Sequence, residues 1–149
     1  MQLRALQTSD YRSWLKLWKG YQRFYKADIS DVATELTWRR FRVETETLNC
    51  LVAEEDGKLI GLAHYLTHRS TWTSGDYCYL QDLFVSEEAR GKGVGKALIL
   101  AVYQQAEAAG CSRVYWTTQE SNATARKLYD QIASKTEFIQ YRKLIGKQI

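Results

Sequence analysis

The chain has 149 residues, 45% of them hydrophobic and 26% charged, with a formal net charge of +4. Length and proportions suit one soluble globular domain with a real core, and exclude a disordered or fibrous chain. The charge lies in no basic run, which suits an anionic ligand but is weak evidence for nucleic acid; apolar runs such as "ALILAVY" (97–103) are far too short to span a membrane.

The start, "MQLRALQTSD", lacks the apolar stretch of a signal peptide. Residues 2–6 alternate and predict a first strand. Thr8 or Ser9 can cap a helix running to Tyr25, and Ser30 a second helix to about Val43. "LNCLVAEED" (48–56) reads as a strand, Asp56-Gly57 as a tight hairpin turn, and 58–69 as the returning strand. Residues 70–76 are loop, and "YCYLQDLFV" (77–85) is an aromatic-rich strand. A helix from about Val94 follows, with Val94, Leu98, Ala101, Val102 and Ala108 near one face and Gly110 placed for a left-handed cap. Residues 112–119 predict a strand, 122–135 a helix and 137–146 a last strand. The order β-α-α-β-β-β-α-β-α-β predicts a mixed α/β fold with helices on both faces of a central sheet.

Several side chains stand out against this frame. Cys50, Cys78 and Cys111 are odd in number and widely spaced, with no CxxC pair, so no zinc site or disulfide framework is expected. A reduced, cytoplasmic setting follows as the default. Trp14, Trp18, Tyr21 and Tyr25 are spaced four, three and four apart, which makes one stripe on the first helix. That stripe reads first as a core face. Its second reading is that Tyr21 and Tyr25, with Trp38 or Trp72, wall a site for a cationic amine. His64 and His68 share one face of their strand, without the partners of a metal centre.

The densest signal is "EEARGKGVGKALILAVYQQAEAAG" (87–110). It is not a Walker loop, because the first glycine of that motif would fall on Arg90 and its hydroxyl on Ala97. It is not the dinucleotide fingerprint either, because that motif's last glycine would fall on Lys96 or Leu98. What remains is R-x-x-G-x-G at Arg90, Gly93 and Gly95. Glycines that admit close approach, free amides in a first helical turn and nearby cations favour a phosphate. The plainer alternative is a tight strand-to-helix turn with solvated lysines.

"LQDLFVSEEARGKGVGKALI" and "NATARKLY" resemble the central strand, the R/Q-x-x-G-x-G/A loop with its helix, and the N-x6-Y motif of the GNAT superfamily of N-acetyltransferases. The resemblance is strong over 77–130 and topological over the first 45 residues; "LYDQIASKTEFIQYRK" is most similar to a small-amine and histone-tail subgroup. It implies a mostly antiparallel sheet, acetyl-CoA as co-substrate, and direct attack by a primary amine on the thioester. The amine would be a polyamine, an amino acid or a lysine side chain, whether a small molecule or in a peptide. By resemblance, the amides of Arg90, Gly91, Lys92, Gly93, Val94, Gly95 and Lys96 hold the pyrophosphate. The main chain of Phe84 and Val85, with Leu83 nearby, takes the pantetheine arm as if it were an added strand. Asn122 bonds that arm, and Tyr129 is the general acid, a phenol being able to protonate a thiolate at neutral pH. A helix cap for Asn122 and a core position for Tyr129 are the plainer readings.

The base is less well marked. Relatives often place glutamate where this chain has Gln81, which cannot take a proton but can line the acceptor site. Asp82 is adjacent, although alternation sends it to the other face, and Glu120 follows the next strand; water is a third route. The resemblance also implies a possible homodimer, with the C-terminal strand as an exchange element. A non-catalytic acyl-CoA sensor is the alternative that Gln81 keeps open. No membrane association, metal or nucleic-acid partner is expected.

Overall fold

The computed structural model describes residues 1–147. Two compact units arise, Met1–Trp116 and a second that begins at Thr117. In the first unit a five-stranded sheet has the order β1-β2-β3-β4-β5. Its strands are β1 (Gln2–Ala5), β2 (Leu48–Glu55), β3 (Lys58–His68), β4 (Tyr77–Val85) and β5 (Arg113–Tyr115). The first four pair antiparallel in chain order, and β5 joins β4 in parallel. The predicted hairpin forms at Asp56 and Gly57, whose φ values of 52° and 75° are those of a two-residue primed turn.

Helices cover both faces. Helices α1 (Tyr11–Tyr25) and α2 (Asp31–Arg40) take one, and α3 (Val94–Ala108) the other. Alternation along β3 assigns the faces. Leu62 packs with Trp14 and Trp18 of α1, while a Cβ on Gly61 would meet Leu98 and Val94 of α3. The α1 face is the aromatic core, with Trp14, Leu17, Trp18, Trp38, Val52, Leu62 and Phe84 buried together. The stripe on α1 therefore divides. Trp14 and Trp18 are core, whereas Tyr21 and Tyr25 lie half-buried farther along the helix. Trp38 is core as well, and Trp72 is exposed.

Helix starts show which caps the sequence uses. Ser30 Oγ accepts from the Ala33 amide at 3.1 Å, as expected of the cap of α2. Neither Thr8 nor Ser9 caps α1; a 3-10 turn at Thr8–Asp10 precedes it, and Asp10 accepts from the Gln7 amide at 2.7 Å. Arg4 then grips both oxygens of Asp10, at 2.7 and 3.0 Å, and tethers β1 to this turn. At the other end of α3, Gly110 takes the left-handed cap with φ 76°.

Two strand expectations need correction. The strand expected at 112–119 is only Arg113–Tyr115, paired with Tyr77–Tyr79, so residues 80–85 of β4 have no strand on that side among the described residues. The strand expected at 137–146 does not form. That segment alternates as strands do, but its apolar side chains Phe138, Ile139 and Tyr141 are 77–89% exposed, and a strand without a partner edge has no ladder to satisfy its backbone. Among its described residues the second unit has one helix, α4 (Ala123–Ile132).

Candidate active site

The segment from Ser86 to Lys96 is built by backbone conformation. Gly91 and Gly93 both have φ 79°, in the left-handed region where a side chain costs about 1–2 kcal/mol. Gly93 is the N-cap of α3, and with no side chain it leaves the helix mouth bare. The first bond within the turn runs from the Ala97 amide to the Gly93 carbonyl at 3.0 Å. Helix geometry thus leaves the amides of Val94, Gly95 and Lys96 without an intrahelical acceptor.

Gly95 is the informative glycine. It is helical, its φ is not positive, and a Cβ there would come no closer than 3.8 Å to the Val85 side chain. The fold has no need of glycine at this place, and glycine in a helix costs about 0.5–1 kcal/mol relative to alanine. Its bare backbone leaves open space at the mouth of α3.

The side chains of the loop are not equivalent. Arg90 folds back, with Nε donating to the Val85 carbonyl at 3.1 Å and the guanidinium stacked on Phe24 and Phe84 at 4.9 and 5.6 Å. Arg90 is nonetheless exposed, as are Lys92 and Lys96. Leu83, Phe84 and Val85 lie on the stretch of β4 that has no strand on its outer side among the described residues, which leaves main-chain groups there, the Arg90-bound Val85 carbonyl apart, open to an extended ligand. The Phe84 side chain points into the core, edge-on to Tyr21 at 6.4 Å. A cavity of about 570 Å³ opens beside α1, lined by Lys16, Gly20, Arg23, Phe24, Phe84 and Arg90 among others. It adjoins the loop and does not reach Asp82.

Asp82 lies elsewhere on the same face as α1. A bulge in the β3–β4 pairing, where His64 opposes Asp82 but Tyr65 opposes Leu80, leaves Gln81 unpaired and exposed. Asp82 is buried, its Oδ2 3.0 Å from His64 Nδ1. His64 Nε2 accepts from the Trp14 indole N–H at 3.0 Å. The Tyr21 phenol lies beside the same carboxylate and feels its charge. Burial first, and then the Asp82 charge, push the Tyr21 and Tyr25 phenols above their ordinary value, so both keep their protons at neutral pH. The aromatic surface continues along the sheet through Tyr79, Tyr115 and His68, with Tyr115 O–H 2.7 Å from His68 Nε2.

Residues 117–147 carry the other candidates. Asn122 occupies the N-cap of α4, yet its side chain makes no capping bond; its carbonyl accepts from the Arg126 amide at 3.0 Å. Tyr129, seven residues on, shares its face of the helix and is half-buried. Glu120 is exposed in a turn rather than at a strand end, and its carbonyl accepts from Arg126 Nη1 at 2.7 Å.

The structure thus brings Asp82, Tyr21 and Tyr25 together, and seats Leu83, Phe84 and Val85 beside the glycine loop. Sequence reading missed His64 and Trp14, whose contact spans 50 residues. The one available signal was His64 lying on the core-facing parity of its strand. Among the described residues no cluster of His, Cys, Asp or Glu could hold a metal, and no helix is long and apolar enough to cross a membrane.

Comparison with known proteins converges on one family. The profile of the acetyltransferase (GNAT) family matches residues 7–133, which spans both units. The D-amino-acid N-acetyltransferase HPA3 of Saccharomyces cerevisiae is 39% identical over 143 residues, covering 95% of this chain and 89% of that one. The thialysine N-epsilon-acetyltransferase of Bos taurus is 32% identical over 100 residues, 62% of this chain and 58% of that one. In fold, the chain is similar to a crystal structure of a probable acetyltransferase, with TM-score 0.86, 22% identity and 99% of each chain covered.

Proposed function

The chain belongs to the acetyltransferase (GNAT) family and is an acetyltransferase, and we propose that it moves an acetyl group from acetyl-CoA to a primary amine by direct attack on the thioester. The observation that carries this reading is Gly95, a helical glycine that the fold does not require, set at the bare mouth of α3. A diphosphate against the amides of Gly93 to Lys96 gains several charge-assisted hydrogen bonds and the helix dipole together. The unpaired edge of β4 beyond Tyr79 leads to that mouth, which suits the pantetheine arm on Leu83, Phe84 and Val85. Acetyl-CoA supplies an activated acyl group, so the chain needs only to position, polarise and move protons.

On the acceptor side, the buried carboxylate of Asp82 and the phenols of Tyr21 and Tyr25 favour a cationic amine. Gln81 is exposed at the bulge and available to the same ligand. The Asp82 carboxylate is already engaged by His64 and Tyr21, which suits a counter-charge better than a mobile base. Water therefore carries the amine proton away, with Glu120 as the other carboxylate within the family-like segment. Tyr129 supplies the proton to the departing thiolate and Asn122 bonds the arm, roles that rest on the N-x6-Y spacing. The similarity to enzymes named for D-amino acids and thialysine supports a small amino-acid-like acceptor over a peptide lysine. The family profile, running across both units, supports reading 1–149 as a single catalytic domain, and the chain's three free cysteines suit a reducing cytoplasm. The exposed apolar row Phe138, Ile139 and Tyr141 supports a homodimer in which this segment finds its partner edge.

Thiol release from acetyl-CoA, measured over a panel of D- and L-amino acids, thialysine and polyamines, tests the reading. At least one amine accelerates release, and Tyr129→Phe slows it. Coenzyme binding without any amine-dependent release would instead establish an acyl-CoA sensor on this fold.

A further inference from the structure

We propose that Trp14 and His64 are positioning residues for the acceptor amine: together they fix Asp82 so that Tyr21 presents its phenolic oxygen to the incoming ammonium group. This rests on the reading of the α1 face as the acceptor side.

The direction of each bond carries the inference. An indole N–H can only donate, so Trp14 Nε1 at 3.0 Å makes His64 Nε2 the acceptor. A neutral imidazole then has its proton on Nδ1, and it donates to Asp82 Oδ2 at 3.0 Å. Tyr21 lies beside the same carboxylate, to which its only proton can be given. Two elements thus converge on one buried carboxylate, β3 through His64 and α1 through Tyr21, with Trp14 of α1 behind the imidazole, and a phenol oxygen that gives its proton to the carboxylate keeps its lone pairs for another donor. A neutral donor such as the Tyr21 phenol, whose proton is drawn toward a carboxylate, has a more negative oxygen and is a better acceptor for an ammonium N–H.

The ring cannot swing out of that pose. Tyr21 stacks on Trp18 at 4.8 Å and 20°, and lies against Tyr25 at 4.7 Å. His64 is itself clamped, with Trp18 and Phe41 at 4.8 and 4.9 Å. Trp14 is fully buried and His64 is 2% exposed, so neither reaches a ligand directly. Other ionisable groups that feel Asp82 are Tyr25 of α1 and Cys50 of β2, both without charge while protonated. Replacing His64 leaves the carboxylate short of a donor and lets it turn from Tyr21.

The test compares His64→Leu with His64→Asn, whose amide N–H falls where Nδ1–H was. Steady-state constants are measured for both substrates, using the best amine from the panel. His64→Leu raises the KM for the amine about tenfold or more, while the KM for acetyl-CoA stays within about twofold, and His64→Asn restores most of the amine KM. Equal amine KM values for the two variants, or an amine KM unchanged in His64→Leu, overturn the proposal. So does a parallel rise in both KM values, which marks a merely loosened fold. Nitrogen-15 NMR of the wild-type imidazole gives a reading that needs neither variant nor turnover. A protonated Nδ1 and a bare Nε2 support the relay, and the reverse tautomer overturns it. If no amine is acetylated, the acceptor reading fails on that result, while the tautomer still decides the geometry.

Discussion

The two faces of the sheet offer different surfaces to a ligand. At the mouth of α3 the chain offers main-chain amides, glycines and solvent-exposed lysines, and almost no side-chain architecture. On the α1 face it offers a buried carboxylate of β4 held by an imidazole of β3, with an indole and a phenol of α1 around them. A backbone site depends on local conformation, so one short stretch of sequence specifies it. A side-chain site depends on register between distant strands and helices. The first suits a ligand portion that never varies, and the second suits an acceptor that must be selected.

That contrast can be broken most sharply at the chemical step. Tyr129→Phe lowers kcat by roughly 10²–10⁴-fold, the range for a lost general acid, with coenzyme affinity unchanged in a calorimetric titration. A loss confined to coenzyme affinity would move Tyr129 out of the chemistry and into the binding of the arm.

Gly93→Glu separates the faces next. The φ of 79° disfavours any side chain, and the carboxylate would stand where the proposed site takes the diphosphate. Affinity for CoA falls about 100-fold or more, as expected for two or so lost charge-assisted bonds. The His64 imidazole resonances do not move. Changes at His64 would show that the two sites are not independent.

Gly95→Ala sharpens the comparison in an unusual way, because stability and binding part company. The added methyl meets nothing closer than 3.8 Å, so the variant is more stable by about 0.4–1 kcal/mol in urea. Its affinity for CoA nevertheless falls several-fold. A variant with both properties unchanged would reduce Gly95 to an accident of sequence.

The smallest effect belongs to the start of the α1 face. The two-pronged bond from Arg4, aided by the Gln7 amide, holds the Asp10 carboxyl below its ordinary range against the opposing effect of burial. A carboxylate with a depressed folded value contributes stability that is fully present above the unfolded value of about 3.9 and is lost as the pH falls through the folded value. Asp10→Asn therefore lowers Tm at neutral pH and flattens its decline below about pH 4, read by circular dichroism. An unaltered acid limb would remove Asp10 from that role.

Much of this was legible in the sequence, and the reasons are local. The alternation of β2 and β3 and the Asp56-Gly57 turn predict the hairpin, because strand period and turn chemistry act within a few residues. Ser30 and Gly110 mark helix ends by the same logic. The R-x-x-G-x-G loop was visible because its conformation is set by its own glycines. What stayed hidden depends on distance. The bulge at Gln81 decides that Asp82 meets His64, and no feature of either strand alone announces it. The division of the α1 stripe into core tryptophans and half-buried tyrosines depends on where the helix crosses the sheet. The segment 137–146 carries a strand pattern without a strand, because pairing needs an edge as well as an alternation.

The most direct test of the diphosphate site is a backbone amide NMR titration of the full chain with CoA. The account predicts the largest shifts at Gly91 to Lys96, with a second group at Leu83 to Val85, and little change in α2. Shifts absent from the mouth of α3, or centred on the cavity beside α1 alone, would contradict it.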